Sequence, residues 1–152
     1  MSSTKIHGEY HMTLIGQVMC VHAIGPWNEE CVQQFQIDYK QHSLPCLHAQ
    51  WADLVVLSGE SLLIPSAERF LIEAAANMKS KGLRCVAIMF NDSIVKMSTQ
   101  EQFTRVYANS GLDVGFFEHL ADATDWLTKQ NMHCELAKIS TWFAQLDLTK
   151  HA

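Results

Sequence analysis

The sequence predicts an α/β domain built on a mixed, mostly parallel sheet with helical cover, and three observations carry that prediction. Near-continuous apolar runs at 51–57 and 83–90, interrupted only by Asp53 and Arg84, suit strands covered on both faces, as in a parallel sheet. Segments with helical apolar period alternate with the β-prone runs. Near the start, Gly16-Gln17 separates two β-prone runs and predicts a tight hairpin, which makes one sheet edge antiparallel. The predicted order is β-β-α-β-α-β-α-β-α plus a carboxyl-terminal helix.

Each element has its own local reason. Residues 1–8 are polar and read as a flexible amino terminus, leaving 9–152 as one domain. The runs at 10–15 and 18–24 form the hairpin. Gly25-Pro26 stops the second run, since proline has no ladder donor. Asn28 is a good N-cap, Glu29 and Glu30 suit the positive end of a helix dipole, and Trp27 is placed to staple onto Val32. Val32, Phe35 and Tyr39 give this helix an apolar face, and Ser43-Leu44-Pro45 ends it. The strand run at 51–57 is interrupted only by Asp53. After the loop Ser58-Gly59-Glu60-Ser61, Leu62-Leu63-Ile64-Pro65 leads into a second helix that Ser66 is expected to cap. Phe70, Ala74 and Met78, widened by Leu71 and Ala75, mark its buried face, and Gly82 suits its left-handed terminus. The run at 83–90 is the clearest central strand. Ser98 and Glu101 predict a capping box for the third helix, with Phe103, Val106 and Tyr107 inward and Gly111 at its end. A short strand at 114–117 precedes a helix lined by Leu120, Ala123 and Leu127 with Trp126 beside them. Leu136, Ile139, Phe143 and Leu146 recur at 3-4-3 spacing in the last helix, expected to dock on its own sheet, with Trp142 just off the stripe.

Composition narrows the function classes. A chain of 152 residues suits one domain, and its 48% hydrophobic and 18% charged content is ordinary for a globular fold. A formal net charge of -5, with no basic run, argues against nucleic-acid binding. Five cysteines, an odd and irregularly spaced set, read as reduced core residues rather than a disulfide framework. The start lacks a secretory apolar segment and no stretch approaches a bilayer span, so a soluble, cytoplasmic protein is expected.

Chemical motifs are sparse, and no catalytic residue, cofactor or metal is expected. His42, Cys46 and His48 have zinc-ligand chemistry without a recognised spacing or a fourth ligand. His7 and His11 fall in a tail and a strand. Cys20 and His22 share a strand face, but a Cys–His nucleophile needs a lowered thiol pKa and an orienting group that an apolar strand does not offer. Neither GxGxxG nor GxxxxGK[ST] occurs. The paired carboxylates Glu29–Glu30 and Asp122–Asp125 read as helix-end and surface charges.

From Ala52 to Leu127 the chain resembles STAS domains, typified by bacterial anti-sigma-factor antagonists, and the SpoIIAA-like fold that they share with CRAL-TRIO lipid carriers. Asp53-Leu54-Val55-Val56-Leu57-Ser58-Gly59 resembles the family's third strand and turn. Lys81-Gly82-Leu83-Arg84-Cys85-Val86-Ala87-Ile88 resembles its Gly-plus-strand unit. Asn109-Ser110-Gly111-Leu112 and Ala121-Asp122-Ala123-Thr124-Asp125-Trp126-Leu127 resemble its later helix end and closing helix. Leu63-Ile64-Pro65-Ser66-Ala67 falls where the family carries an Asp-Ser-Ser-Gly phosphorylation switch. Here Pro65, Ser66, Ala67 and Glu68 stand in those places, so the Asp and the phosphorylatable second Ser are missing. The resemblance implies a non-enzymatic regulatory domain that docks a protein partner around Pro65, Ser66, Ala67 and Glu68, without the usual switch. The CRAL-TRIO kinship implies the alternative, a carrier of a small apolar ligand or lipid, in which Met12, Met19, Met78 and Met89 would line the cavity. A homodimer is the rival use of the last helix.

Overall fold

A computed structural model describes residues 8–60, 62–91 and 96–151, with side chains through residue 146. The expected flexibility of the first seven residues, the place of Ser61 in its loop and the His7–His11 pairing therefore lie outside the described residues. One five-stranded sheet organises the chain, in the order β1 (Glu9–Ile15), β2 (Val18–Ile24), β3 (Trp51–Ser58), β4 (Leu83–Asn91) and β5 (Asp113–Phe117). β1 runs antiparallel to β2, with Ile15 opposite Val18 across the two-residue turn, and all later pairs are parallel. The helices are α1 (Glu29–Ser43), α2 (Pro65–Lys81), α3 (Lys96–Tyr107), α4 (Leu120–Lys129) and α5 (Leu136–His151). The α/β class and element order match the sequence expectation.

Strand alternation divides the core between two sheet faces. Met19, Val21, Leu57, Val86 and Ile88 face α1, α2 and α3, and pack with Val32, Ala75, Met78 and Phe103. Val18, Cys20, Leu54, Cys85 and Ala87 face the other way, onto Ala123 and Leu127 of α4 and Ile139 of α5. β3 and β4 are central and buried on both faces, which is why their sequences are nearly all apolar. Gly82 takes φ 127° as α2 turns into β4. A Cβ there would stand 2.0 Å from the Ala49 carbonyl oxygen, so both conformation and space require glycine.

Cap geometry agrees at one helix and differs at two. The Asn28 side chain accepts from the Cys31 amide at 3.0 Å. Ser66, however, lies inside α2: Ile64 is the N-cap residue, without a side-chain cap bond, and Pro65 occupies the first turn. Proline explains the shift, because its φ is preset for a helix and it brings no amide needing a cap. Ser98 likewise lies within α3, so Ser98 and Glu101 are not its capping box. In α5, Ile139 is fully buried but Leu136 is 46% exposed. Trp142 joins Phe143 against the core there, so the packed stripe is rotated from the expected one.

Candidate functional site

A cavity of about 250 Å³ lies between the sheet and helices α1, α2 and α3. Its origin is a local mismatch of side-chain size. Ala23 and Gly25 at the end of β2, and Ala74 and Ala75 on α2, are small where a filled core would carry larger groups. Around them stand Trp27, Phe35, Tyr39, Phe70, Phe103 and Tyr107, whose rings hold the layers apart. Met78 lines this space as the carrier alternative expected. Met19 instead fills the core on the same sheet face, and Met89 packs on the opposite face. Exposed Lys40, Glu60, Glu73 and Asn77 mark where the cavity meets solvent. Gln36 spans α1 and α2 beside it, its amide donating to the Phe70 carbonyl at 3.2 Å.

The polar wall centres on Asp53, which the sequence shows only as a break in an apolar strand. Strand alternation turns Asp53 and Trp51 toward α1, where Tyr39 meets both. The Trp51 Nε1–H donates to the Tyr39 hydroxyl at 3.0 Å. The Tyr39 hydroxyl in turn donates to Asp53 Oδ1 at 2.6 Å. All three residues are buried. Burial pushes the Asp53 carboxyl up to about 7, even though hydrogen bonds from Tyr39 and Trp51 pull it down. Burial, reinforced by the Asp53 charge, raises the Tyr39 and Tyr107 hydroxyls well above the usual range. The arrangement is a line of neutral donors ending on an acid that straddles its two charge states near neutral pH.

A second polar group sits on the other sheet face, at the carboxyl ends of the strands. Buried His22 places Nε2 2.8 Å from Ser58 Oγ, which also accepts from Asn91 Nδ2 at 3.3 Å. Ser58 is fully buried, so its hydroxyl ties three strands together and has no surface for an incoming substrate. Cys20 shares this face with His22, but burial, before the charges of Cys134 and Asp53, pushes its thiol up to about 12. That is the opposite of an activated nucleophile.

The remaining sequence candidates are dispersed. His42 Nδ1 lies against the Asp38 carbonyl at 2.9 Å. Cys46 donates to the Ser43 carbonyl, and His48 is held by its backbone amide to Lys81. Among the described residues no group of three His, Cys, Asp or Glu side chains is arranged to hold a metal, and no helix is long and apolar enough to cross a membrane. Pro65 is exposed, Ser66 and Glu68 are half-buried, and Ala67 has no exposed surface. Glu68 is engaged internally: Arg105 meets its carboxylate at 3.1 Å and Gln102 at 3.0 Å. Gln102 also clasps the Leu63 backbone, accepting from its amide at 2.7 Å and donating to its carbonyl at 2.8 Å. This turn is therefore fastened to α3 by side chains that sequence spacing does not connect.

No protein-family model matches the chain, and no curated protein does. Among solved structures, it is similar to an uncharacterized protein of the DUF3478 family from Shewanella loihica PV-4, described as having a SpoIIAA-like fold. The two share 22% identity with a TM-score of 0.56, over 84% of this chain and 98% of the other. The antiparallel opening hairpin, the parallel strands and the two-sided helical cover described above thus form a SpoIIAA-like fold.

Proposed function

We propose that this domain binds a small, largely apolar molecule in the cavity bounded by the sheet, α1 and α2. The observation that carries this reading is the cavity itself, which combines aromatic walls with one buried acid. Binding sites for small molecules are concave and mostly apolar, with a few placed polar groups that set orientation. At about 250 Å³ this one sits just below the usual range for drug-sized ligands and suits a compact guest. A binding role also agrees with the buried thiol of Cys20, which burial holds in its neutral form.

The test is native mass spectrometry of freshly isolated protein, paired with thermal melts against a panel of small aromatic compounds. Ala74→Leu fills the cavity from α2 without touching the polar network. A bound mass or a melting shift that this variant loses supports the reading. No bound mass and no shift in the parent would overturn it.

Docking of a protein partner around Pro65, Ser66, Ala67 and Glu68 is the second reading. The exposed apolar side chains of Leu62 and Ile64 beside Pro65, at 39% and 44%, support it. Their replacement by Ser should abolish capture of a partner while leaving ligand binding intact, and unchanged capture would reject this surface.

A further inference from the structure

We infer that the guest is a compact organic cation, an apolar primary amine whose ammonium group pairs with Asp53; this rests on the ligand-binding reading above. The first argument is charge. Asp53 is 6% exposed on the cavity wall and has no cation beside it among the described residues. The groups around it are Tyr39 of α1, Tyr107 of α3, Cys46 of the turn after α1, and Trp51 on its own strand. Across the sheet, Cys20 and Cys85 feel the same charge. The tyrosines and cysteines in this set are all shifted toward their neutral forms. Lys40 is the cationic lining residue, exposed at the rim and accompanied there by Glu60 and Glu73. The cavity wall is thus net negative, and the buried acid lacks a counter-charge.

The second argument is the wall. Six aromatic residues surround the space, and ring faces attract a desolvated cation. The third is hydrogen bonding. Tyr39 donates to Oδ1 of Asp53 and Trp51 also hydrogen-bonds the carboxyl, so its present partners are neutral donors that bring no positive charge. An ammonium supplies both donors and positive charge, and such a charge-assisted bond is roughly twice as strong as a neutral one. A neutral alcohol could donate a hydrogen bond but would leave the buried charge without a counter-ion, and a carboxylate guest would be repelled. Size sets the class further. A cavity of ~150 Å³ holds a benzene ring, so 250 Å³ leaves room for a ring with a short chain.

The experiment is calorimetric titration of the full chain with 2-phenylethylamine, 2-phenylethanol and phenylacetate at pH 6 and pH 8. The amine should bind at least tenfold more tightly than the alcohol at pH 8, with phenylacetate weakest. Its advantage should shrink at pH 6, where Asp53 is mostly protonated. Asp53→Asn should abolish the advantage and leave alcohol binding within a few-fold of the parent. Ala74→Leu should weaken amine and alcohol together. If the alcohol binds as tightly as the amine in the parent, and Ala74→Leu weakens both, the cation inference fails and the cavity reading survives. If none of the three binds, or if Ala74→Leu changes nothing, both fail. The amine-to-alcohol ratio in the parent decides the matter even if Asp53→Asn does not fold.

Discussion

Replacing Asp53 by Asn should stabilise the protein at pH 8 relative to pH 4, and the size of that change follows from where the carboxyl sits. Burial raises its folded pKa from the ordinary 3.8 to about 7. Below pH 4 both folded and unfolded chains hold the proton, and Asp53 brings no penalty. Between pH 4 and 7 the unfolded chain releases its proton while the folded chain keeps it, so stability falls as pH rises. Above pH 7 both states are ionised and the loss levels off. About three pH units at ~1.4 kcal/mol each put the full change on the order of 4 kcal/mol. Asn keeps an oxygen for the Tyr39 hydroxyl but cannot ionise, so it lacks this slope. Its amide must find a partner, which costs ~1–3 kcal/mol at every pH and sets the offset alone. Urea denaturation of both proteins from pH 4 to 8, with equal m-values, reads the difference directly. A difference that stays constant across that range would show that Asp53 ionises alike in both states, and the electrostatic argument for the cavity would fall with it.

Four further outcomes follow from caps, turn fastening and the state of the cysteines. Ser66→Ala should move the denaturation midpoint by less than ~0.5 kcal/mol, because Ser66 lies inside α2. Gln102→Ala, which strands the Leu63 amide and carbonyl, should cost ~1–3 kcal/mol; the reverse ranking in urea melts would restore the capping role to Ser66. Asn28→Ala should cost ~1 kcal/mol, and an unchanged midpoint would remove its cap from the energetics. All five cysteines are free, so thermal midpoints with and without reductant should coincide, and a drop on reduction would reveal a disulfide.

The fold was legible because its signals are local and mutually consistent. Gly16-Gln17 gives the hairpin, the run at 83–90, apolar but for Arg84, gives the central strand, and Gly82 marks the only kind of residue its turn accepts. The site was less legible because its parts meet only through the sheet. Asp53 shows in the sequence only as the break in an apolar strand, although burying a carboxylate in a strand covered on both faces is costly. Tyr39, twelve residues from Trp51 and fourteen from Asp53, read as one more apolar position on a helix face. Its hydroxyl becomes meaningful only once α1 lies on β3. The cavity could not be read either, because it is made by small residues from β2 and α2 facing one another. Ser66 was misread for a different reason: Pro65 starts the helix by itself, and a serine following it resembles a cap in sequence alone. The turn's real fasteners, Gln102 and Arg105, come from α3, more than thirty residues away.

The carboxyl-terminal helix gives the sharpest separation between self-packing and assembly. Ile139 has no exposed surface and packs with Val18, Cys20, Leu54 and Leu127 of its own chain. Trp142 and Phe143 meet edge to face at 4.9 Å between ring centres and cover the same cluster. Leu136 points away at 46% exposure, so it adds little to this contact. If burial in the same chain is what fixes α5, Ile139→Ala should destabilise by ~2–5 kcal/mol, as for other large core aliphatics cut to alanine. The same substitution at Leu136 should stay within ~0.5 kcal/mol. Neither value should depend on protein concentration, because an intramolecular contact obeys no mass action. An assembly held by this helix would behave otherwise: the parent's midpoint would climb with concentration and Ile139→Ala would abolish the climb. Thermal melts over a hundredfold range of concentration, with light scattering at both ends, separate the two. A concentration-dependent parent, with Phe143→Asp a folded monomer, would show that the helix serves a second copy of the chain.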